Sequence, residues 1–382
     1  MKHLLTIVLA LTLHLSAGAQ CLMWDVEAIH ALKLQPNNPL YQTIVKQADA
    51  YCTTAPVAVT DKKECRSGDV HNFESLSIYF WPDPEKEDGL PYIGKDGQIN
   101  PEYKQYDLPR LDRLISSCRI LAIAYALTGE KRYYTALCRQ LDTWFINKAT
   151  RMNPSFEYAQ FIPGRNGNRG NNAGLIDAYN FIDIIEAVRL VEQTKSIGKS
   201  RKKKLKRWFG DFAGWMQTSD LGIAQKATTN NLGSAYDITL YSFCTFSGKT
   251  KACKPILDNF ADSRLKTQIM ADGSQPLELS RTRALNYSLY NLTHIIDFFT
   301  MLQRQGKPLE GADQVMKALQ YLEQFIGHQE AFPYKETGNW LQAEKQLKSE
   351  YNRFLLLRSD SRGTEQTEPY PIVENDIYTL IR

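Results

Sequence analysis

Apolar side chains return at every third or fourth position through most of this chain, a spacing that belongs to helices and to little else. Leu111, Leu114, Ile115, Cys118, Leu121 and Tyr125 mark one face of a helix that should close near Gly129. Tyr134, Leu137, Cys138, Leu141 and Phe145 mark a second, Ile182, Ile185, Val188 and Leu190 a third, and Trp208, Phe212 and Trp215 a fourth. Segments Tyr287–Leu302 and Val315–Ile326 continue the series. No run of alternating strands and hairpin turns interrupts them, so the expected fold is all-α. Helix hairpins that bury one face against the next make a bundle, a solenoid or a closed toroid, and periodicity does not choose among these.

Two stretches break the helical rhythm. One runs from His71 to Pro109 and is rich in aromatics, Pro and Gly; the other runs from Asn153 to Gly174. Long loops on a rigid scaffold are where binding groups tend to lie. No Pro/Gly/Ser linker marks a domain boundary, so after its leader the chain reads as a single domain over 20–382.

That leader is Lys2 and His3, the apolar run Leu4–Leu15, then Ala17-Gly18-Ala19. It reads as a signal peptide over 1–19, cleaved after Ala19, and implies a periplasmic or secreted protein. Cys21 raises lipoprotein anchoring as the alternative, which Gln20 before it disfavours. No later apolar stretch approaches the roughly 20 residues of a membrane span. Of seven cysteines, Cys52 with Cys65 and Cys244 with Cys253 are the local pairs spaced to close small loops, while Cys118 and Cys138 read as buried thiols. The net charge of +4 gives no reason to expect nucleic acid as a partner. The basic run Lys199–Arg207 sits on a helix whose other face is Leu205, Trp208 and Phe212, and reads as a solvated face.

The motifs that carry chemistry are "TTNNLGSAYD" at Thr228–Asp237 and "DGSQPLELSRTRALNYSLYNL" at Asp272–Leu292. The loops add Ser75–Pro84 ("SLSIYFWPDP"), Gly89–Ile93 ("GLPYI"), Tyr158–Gly164 ("YAQFIPG") and Arg169-Gly170. Together, over roughly 42–302, these resemble the alginate lyase family, whose members carry an Asn-Asn-His-Gly segment, a Leu-Glu-Leu-Ala-Arg segment and a tyrosine a turn or two later. Leu232 stands where that family has its histidine, and the spacing from arginine to tyrosine is about one residue short. The resemblance implies an incomplete α/α toroid with long active-site loops, acting on an anionic polysaccharide by β-elimination with no metal and no cofactor.

The residues can be weighed against that reaction. Removing H5 of a uronate leaves charge beside a carboxylate, so the carboxylate must be neutralised, a base must take the proton and an acid must protonate O4. Tyr287 matches the family tyrosine and is the candidate acid and base; a phenol titrating near ~10 needs a cation to act as a base. Arg281 matches the family arginine, and Arg283, four residues before Tyr287, would share its helix face if the segment is helical there. Asn231 matches the carboxylate-binding asparagine, or else Asn230 or Asn231 caps a helix starting near Gly233. Gln160 and Arg169 match substrate-contacting positions, and Tyr79, Trp81 and Tyr92 would stack on sugars or pin their loop. His71 is the candidate to replace the missing histidine, since His30, His294 and His328 have no motif around them.

Two other readings remain at this level. A helical-toroid glycoside hydrolase would use two carboxylates, Glu278 and Asp237. A binding protein that lost catalysis with the histidine would be indifferent to Tyr287→Phe. Tyr287 alone would favour syn elimination, which makes polymannuronate the first substrate to expect, though the substitution at Leu232 could equally mark a branch acting on another polyuronate such as glucuronan.

Overall fold

The computed structural model of the chain describes residues 20–362, 370 and 377–381; the leader 1–19 lies outside them. Helices α1 (Val26–Lys33) and α2 (Pro39–Thr53) lead into the first long loop, and then come α3 (Leu108–Thr128), α4 (Lys131–Leu141), α5 (Phe181–Glu192), α6 (Lys199–Thr218), α7 (Asp220–Lys226) and α8 (Asn231–Ser247). The second half adds α9 (Lys254–Phe260), the short α10 (Lys266–Gln268) and α11 (Pro276–Leu279), α12 (Ala284–Gln303), α13 (Ala312–Glu323), α14 (Trp340–Arg362) and α15 (Ile377–Ile381).

Helices α3, α5, α8, α12 and α14 pack in that order, each against the next, while α2 and α4 lie against α3, α6 against α8, and α13 against α12 and α14. This is an α/α toroid with an inner and an outer layer. The sequence shows why the layers differ. From Phe181 to Val191 every residue of α5 is buried, including Asp183, Glu186 and Arg189, as an inner helix touched on all sides must be. By contrast α6 buries Leu205, Trp208, Phe209 and Phe212 and leaves Lys203, Lys204 and Arg207 exposed. The basic run is therefore a solvated face, in which Arg201 pairs with Asp142 at 2.8 Å and Lys202 with Glu192 at 2.5 Å. Helix α3 stops at Gly129, whose left-handed φ of 73° lets its N–H reach the Tyr125 carbonyl at 2.8 Å.

An aromatic cluster joins the layers: Phe145 meets Trp208 edge to face at 4.6 Å, Phe181 packs on Trp208 at a tilt at 5.6 Å, and Phe212 packs on Phe243 at 5.5 Å. Each such ring contributes roughly 1.5–3 kcal/mol by leaving water, so Phe181→Ala, with the cavity it leaves, would cost about 3–5 kcal/mol.

Residues 21–24 are buried in the body. The Met23 and Trp24 N–H groups donate to Glu186 Oε2 at 2.8 and 3.0 Å, and Trp24 Nε1 donates to Asp183 Oδ1 at 3.0 Å. Cys21 is 2% exposed. All seven cysteines are free thiols, so neither Cys52–Cys65 nor Cys244–Cys253 forms a bridge here; Cys244 and Cys253 sit side by side, and Cys118 and Cys138 are buried as expected. In the stretch from Ser359 to Pro371, Ser359–Arg362 continue α14, and the Tyr370 carbonyl accepts a hydrogen bond from Asn352 Nδ2 at 2.6 Å. The rest of that stretch lies outside the described residues. No described helix is long and apolar enough to cross a membrane.

Candidate active site

The two long loops are knitted together. Strand β1 (Glu74–Leu76) pairs in parallel with β4 (Tyr158–Phe161), and β2 (Phe80–Trp81) pairs antiparallel with β3 (Ile93–Gly94). The Tyr92 N–H donates to the Pro163 carbonyl at 3.0 Å. Trp81 donates from Nε1 to the Gln98 carbonyl at 2.9 Å, and Tyr92 donates to Glu102 at 2.8 Å. The polar ends of Trp81 and Tyr92 therefore fasten the loop to itself. Burial, aided by the Glu102 carboxylate, pushes the Tyr92 phenol up to about 12.

Tyr287 lies in the first turn of α12, and its hydroxyl is buried with no hydrogen-bond partner. The Arg281 guanidinium stacks on its ring, 3.7 Å from the centroid. Asp96, at the turn after β3, accepts from Arg281 and also from the Thr282 N–H at 3.0 Å and hydroxyl at 2.9 Å. Hydrogen bonds from Arg281 and Thr282 hold the Asp96 carboxyl down to about 2 against partial burial. The turn depends on Gly97: its φ is +76°, and a Cβ there would sit 2.7 Å from the Thr282 hydroxyl. Burial first, and Tyr79 second, push the Tyr287 phenol well above its ordinary range, while Arg281 pulls the other way. Tyr79 faces the Tyr287 hydroxyl closely enough to raise its pKa, but in no geometry that satisfies it.

Asn231 opens α8, and the cap is its neighbour: Asn230 Oδ1 accepts from the Leu232 N–H at 3.2 Å. That frees the Asn231 side chain, which donates to Glu278 Oε2 at 2.7 Å while its backbone N–H donates to Oε1 at 2.7 Å. Glu278 is 2% exposed. Burial raises its pKa, opposed by those two hydrogen bonds and by the charge of Arg281. Leu232 is half-buried, its carbonyl accepts from Gln225 Nε2 at 3.1 Å, and its side chain offers no polar group. Asp237, the other carboxylate of the hydrolase reading, is buried and ion-paired with Arg264 at 2.7 Å. Both carboxylates are thus spent on internal partners.

Arg283 does not share a helical face with Tyr287. It precedes α12 with non-helical backbone angles (φ −127°, ψ 59°) and bridges backbone to backbone with Glu336. Gln160 adopts a left-handed φ of 49°, a strained conformation for a residue with a side chain. Ser75 Oγ accepts its N–H at 2.8 Å, Asn171 donates to its carbonyl, and its amide donates to Asp177 Oδ1 at 3.2 Å. Asp177 Oδ2 is buried without a partner, and burial raises that carboxyl to about 7.

Two sequence candidates go elsewhere. Arg169 gives Nε to Glu157 and both terminal nitrogens to Asp220, so it braces the second loop against α7 and keeps little for a ligand. His71 binds the Arg151 carbonyl through Nδ1 at 2.7 Å, and none of its hydrogen bonds reaches the Tyr287 cluster. Asp96 and Glu336 were missed by sequence reasoning, because no motif surrounds them; Glu278 was noticed only as a hydrolase carboxylate. Its place in the Leu-Glu-Leu segment beside Arg281 was the available signal. No group of three or more His, Cys, Asp or Glu arranged to hold a metal occurs among the described residues.

Comparison with known proteins agrees with this fold. The alginate lyase family model matches residues 58–332, beginning later and reaching further than the motifs alone. An alginate lyase from Bacteroides ovatus is 33% identical over 90% of this chain and 95% of its own, with a TM-score of 0.82. A histidine-to-alanine variant of alginate lyase A1-III complexed with a tetrasaccharide is 14% identical over 84% of this chain and 87% of its own, with a TM-score of 0.53, a likeness of fold. Comparison with curated protein sequences gives no match. With the family matched across most of its length, and a third of its residues shared with a solved member of the same shape, the chain belongs to the alginate lyase family and is a polysaccharide lyase.

Proposed function

We propose that the protein depolymerises alginate, polymannuronate first, by β-elimination in the periplasm or outside the cell. In that reaction H5 leaves as a proton, its electron pair becomes the C4=C5 double bond, the C4–O4 bond breaks and O4 is protonated. Asn231, held by Glu278, and Arg281 hold the carboxylate of the cleaved sugar and stabilise the charge that develops there. Tyr287 handles the proton. The observation that carries this reading is the Arg281 guanidinium lying 3.7 Å from the Tyr287 ring centroid, a cation placed where it favours phenolate.

The rest of the cluster supports a division of labour. A phenol held above its ordinary range is protonated at neutral pH and suited to donate to O4. Acting as base requires the ionised form, so turnover should rise with pH. Because the Tyr287 hydroxyl is covered, Tyr79 must swing aside to admit a sugar. Leu232 provides no second proton carrier, which is why syn elimination, the stereochemistry of mannuronate, suits the site best. Burial of Cys21 favours an unanchored mature chain; mass spectrometry of exported protein should find Gln20 first and no lipid on Cys21.

The test is absorbance of unsaturated chain ends, with purified protein and Tyr287→Phe on polymannuronate, polyguluronate and glucuronan. Signal from the wild type on polymannuronate that is lost in the variant is the expected result. Equal activity of the variant would remove Tyr287 from the chemistry, and a wild type silent on all three while still binding them would mean a binding protein.

A further inference from the structure

The segment after Phe332 lies just beyond the family match, which ends at residue 332, yet it is bonded to the start of α12 at every step. The Ala284 N–H donates to the Lys335 carbonyl at 3.0 Å, and the Thr337 N–H and hydroxyl donate to the Thr282 carbonyl at 3.0 and 3.1 Å. Glu336 receives the Leu285 and Asn286 N–H groups on Oε2 at 2.8 and 3.1 Å and the Gly338 N–H on Oε1 at 2.6 Å. A carboxylate from a distant segment thus takes up the free donors of this helix end. It also clamps Arg283 in a non-helical backbone between the two strands of the bridge.

What the clamp does to Arg283 is the informative part. No hydrogen bond or ion pair reaches its guanidinium among the described residues, and its Nε is buried without an acceptor. Arg119, Arg169, Arg201, Arg264 and Arg281 all have carboxylate partners. Arg283 threads between two glycines. A Cβ on Gly97 would lie 3.4 Å from its Cγ and Cδ, and one on Gly338 would lie 3.0 Å from its Nε and 2.8 Å from Asn286 Nδ2, itself buried without a partner. A side chain at either glycine would crowd the arginine, so the passage is shaped around it. Arg281 lies on the Tyr287 ring and pairs with Asp96, while Arg283 passes the adjacent Gly97 into the gap between the first loop and the strap. A polyuronate carries one carboxylate per sugar, so a second cation beside the one at the cleaved sugar can meet a neighbouring carboxylate.

Building on the lyase reading, we propose that Arg283, held by the 335–338 strap through Glu336, binds the carboxylate of a uronate adjacent to the cleaved residue, making the strap one wall of a substrate subsite. Arg283 is then a binding group and Glu336 a positioning residue.

The experiment is steady-state elimination on polymannuronate and on size-fractionated oligomannuronates from two sugars upward, for wild type, Arg283→Gln, Arg283→Lys and Glu336→Gln. Losing one charge-assisted contact should raise KM about 10-fold or more on chains long enough to fill the subsite. It should leave kcat within about 3-fold and spare the shortest cleavable substrate. Arg283→Lys should recover part of the loss, and Glu336→Gln should reproduce the length-dependent pattern more weakly. An unchanged KM in Arg283→Gln, or an equal loss of kcat on every length, overturns the subsite. Failure of the underlying reading would show differently, as a Tyr287→Phe variant that still makes unsaturated ends.

Discussion

Two buried polar clusters lie at opposite fates in this molecule. Around α5, Asp183 takes Trp24 and Arg119, and Glu186 takes Met23, Trp24 and Arg189, so that each carboxylate is surrounded by donors. At the start of α12, the Tyr287 hydroxyl, Arg283 Nε and Asn286 Nδ2 are as thoroughly covered and make no well-formed hydrogen bond, although Tyr79 faces the Tyr287 hydroxyl. A buried polar group without a partner costs about 1–3 kcal/mol. The first cluster holds the chain together; the second leaves polar groups unsatisfied at the candidate site.

The sharpest test of that contrast is to remove one group from each side. Tyr287→Phe should lower turnover by about 10²–10⁴-fold while leaving the urea midpoint equal to wild type or slightly higher, since it deletes an orphaned hydroxyl. A clear loss of stability would mean the hydroxyl has a partner in solution. Asp183→Ala should do the opposite. It strands a buried Arg119 and should cost about 3–5 kcal/mol in equilibrium unfolding, with kcat per folded molecule unchanged; lost turnover at full stability would erase the distinction.

Glu278 sits between the two classes, being fully satisfied yet bonded to Asn231. Glu278→Gln keeps its shape but replaces one acceptor with a donor facing Asn231. Hydrogen bonds to a charged group are worth about 1.5–3 kcal/mol, so kcat should fall about 10–100-fold with little change in the melting midpoint. A purely structural glutamate would show the reverse pattern.

The smallest effect concerns pH. The folded Asp96 carboxyl titrates at about 2, below its unfolded value of about 3.9. Its contribution is therefore complete above the unfolded value and is lost as pH falls toward the folded one. The difference in unfolding free energy between wild type and Asp96→Asn should be constant above roughly pH 5 and shrink toward pH 2. At 31% side-chain exposure, solvent screening limits it to about 1 kcal/mol. A difference that stays constant down to pH 2 would mean that the Arg281 pair does not hold Asp96 in solution.

How much of this was legible beforehand depends on distance along the chain. The helices at 108–128, 181–192, 199–218 and 284–303 follow from apolar spacing, because the period of a helix is a local property that neighbours three and four residues apart reveal. The same is true of Gly129 as a stop. The inner layer was less visible: α5 carries Asp183, Glu186 and Arg189 among its apolar residues, and only their partners on other segments make burial tolerable. Tyr287, Asn231 and Arg281 were singled out because they stand in short motifs, and the structure sets Arg281 on the Tyr287 ring and Asn231 against Glu278. Arg169 was found by the same route and turned out to brace a loop, since no motif records that Glu157 and Asp220 converge on it.

By itself, then, the sequence determined an all-helical chain interrupted by two aromatic loops, and the lyase family to which it belongs. Tertiary structure decided which of two arginines stacks on the tyrosine and which stays unpaired, and that Asp96 stands behind Arg281, Glu278 behind Asn231 and Glu336 behind Asn286 at the start of α12. Those partners lie 185, 47 and about 50 residues away in sequence. The physical reason is that charge pairing and the covering of a helix end are set by proximity in space, which a local pattern of residue types does not encode.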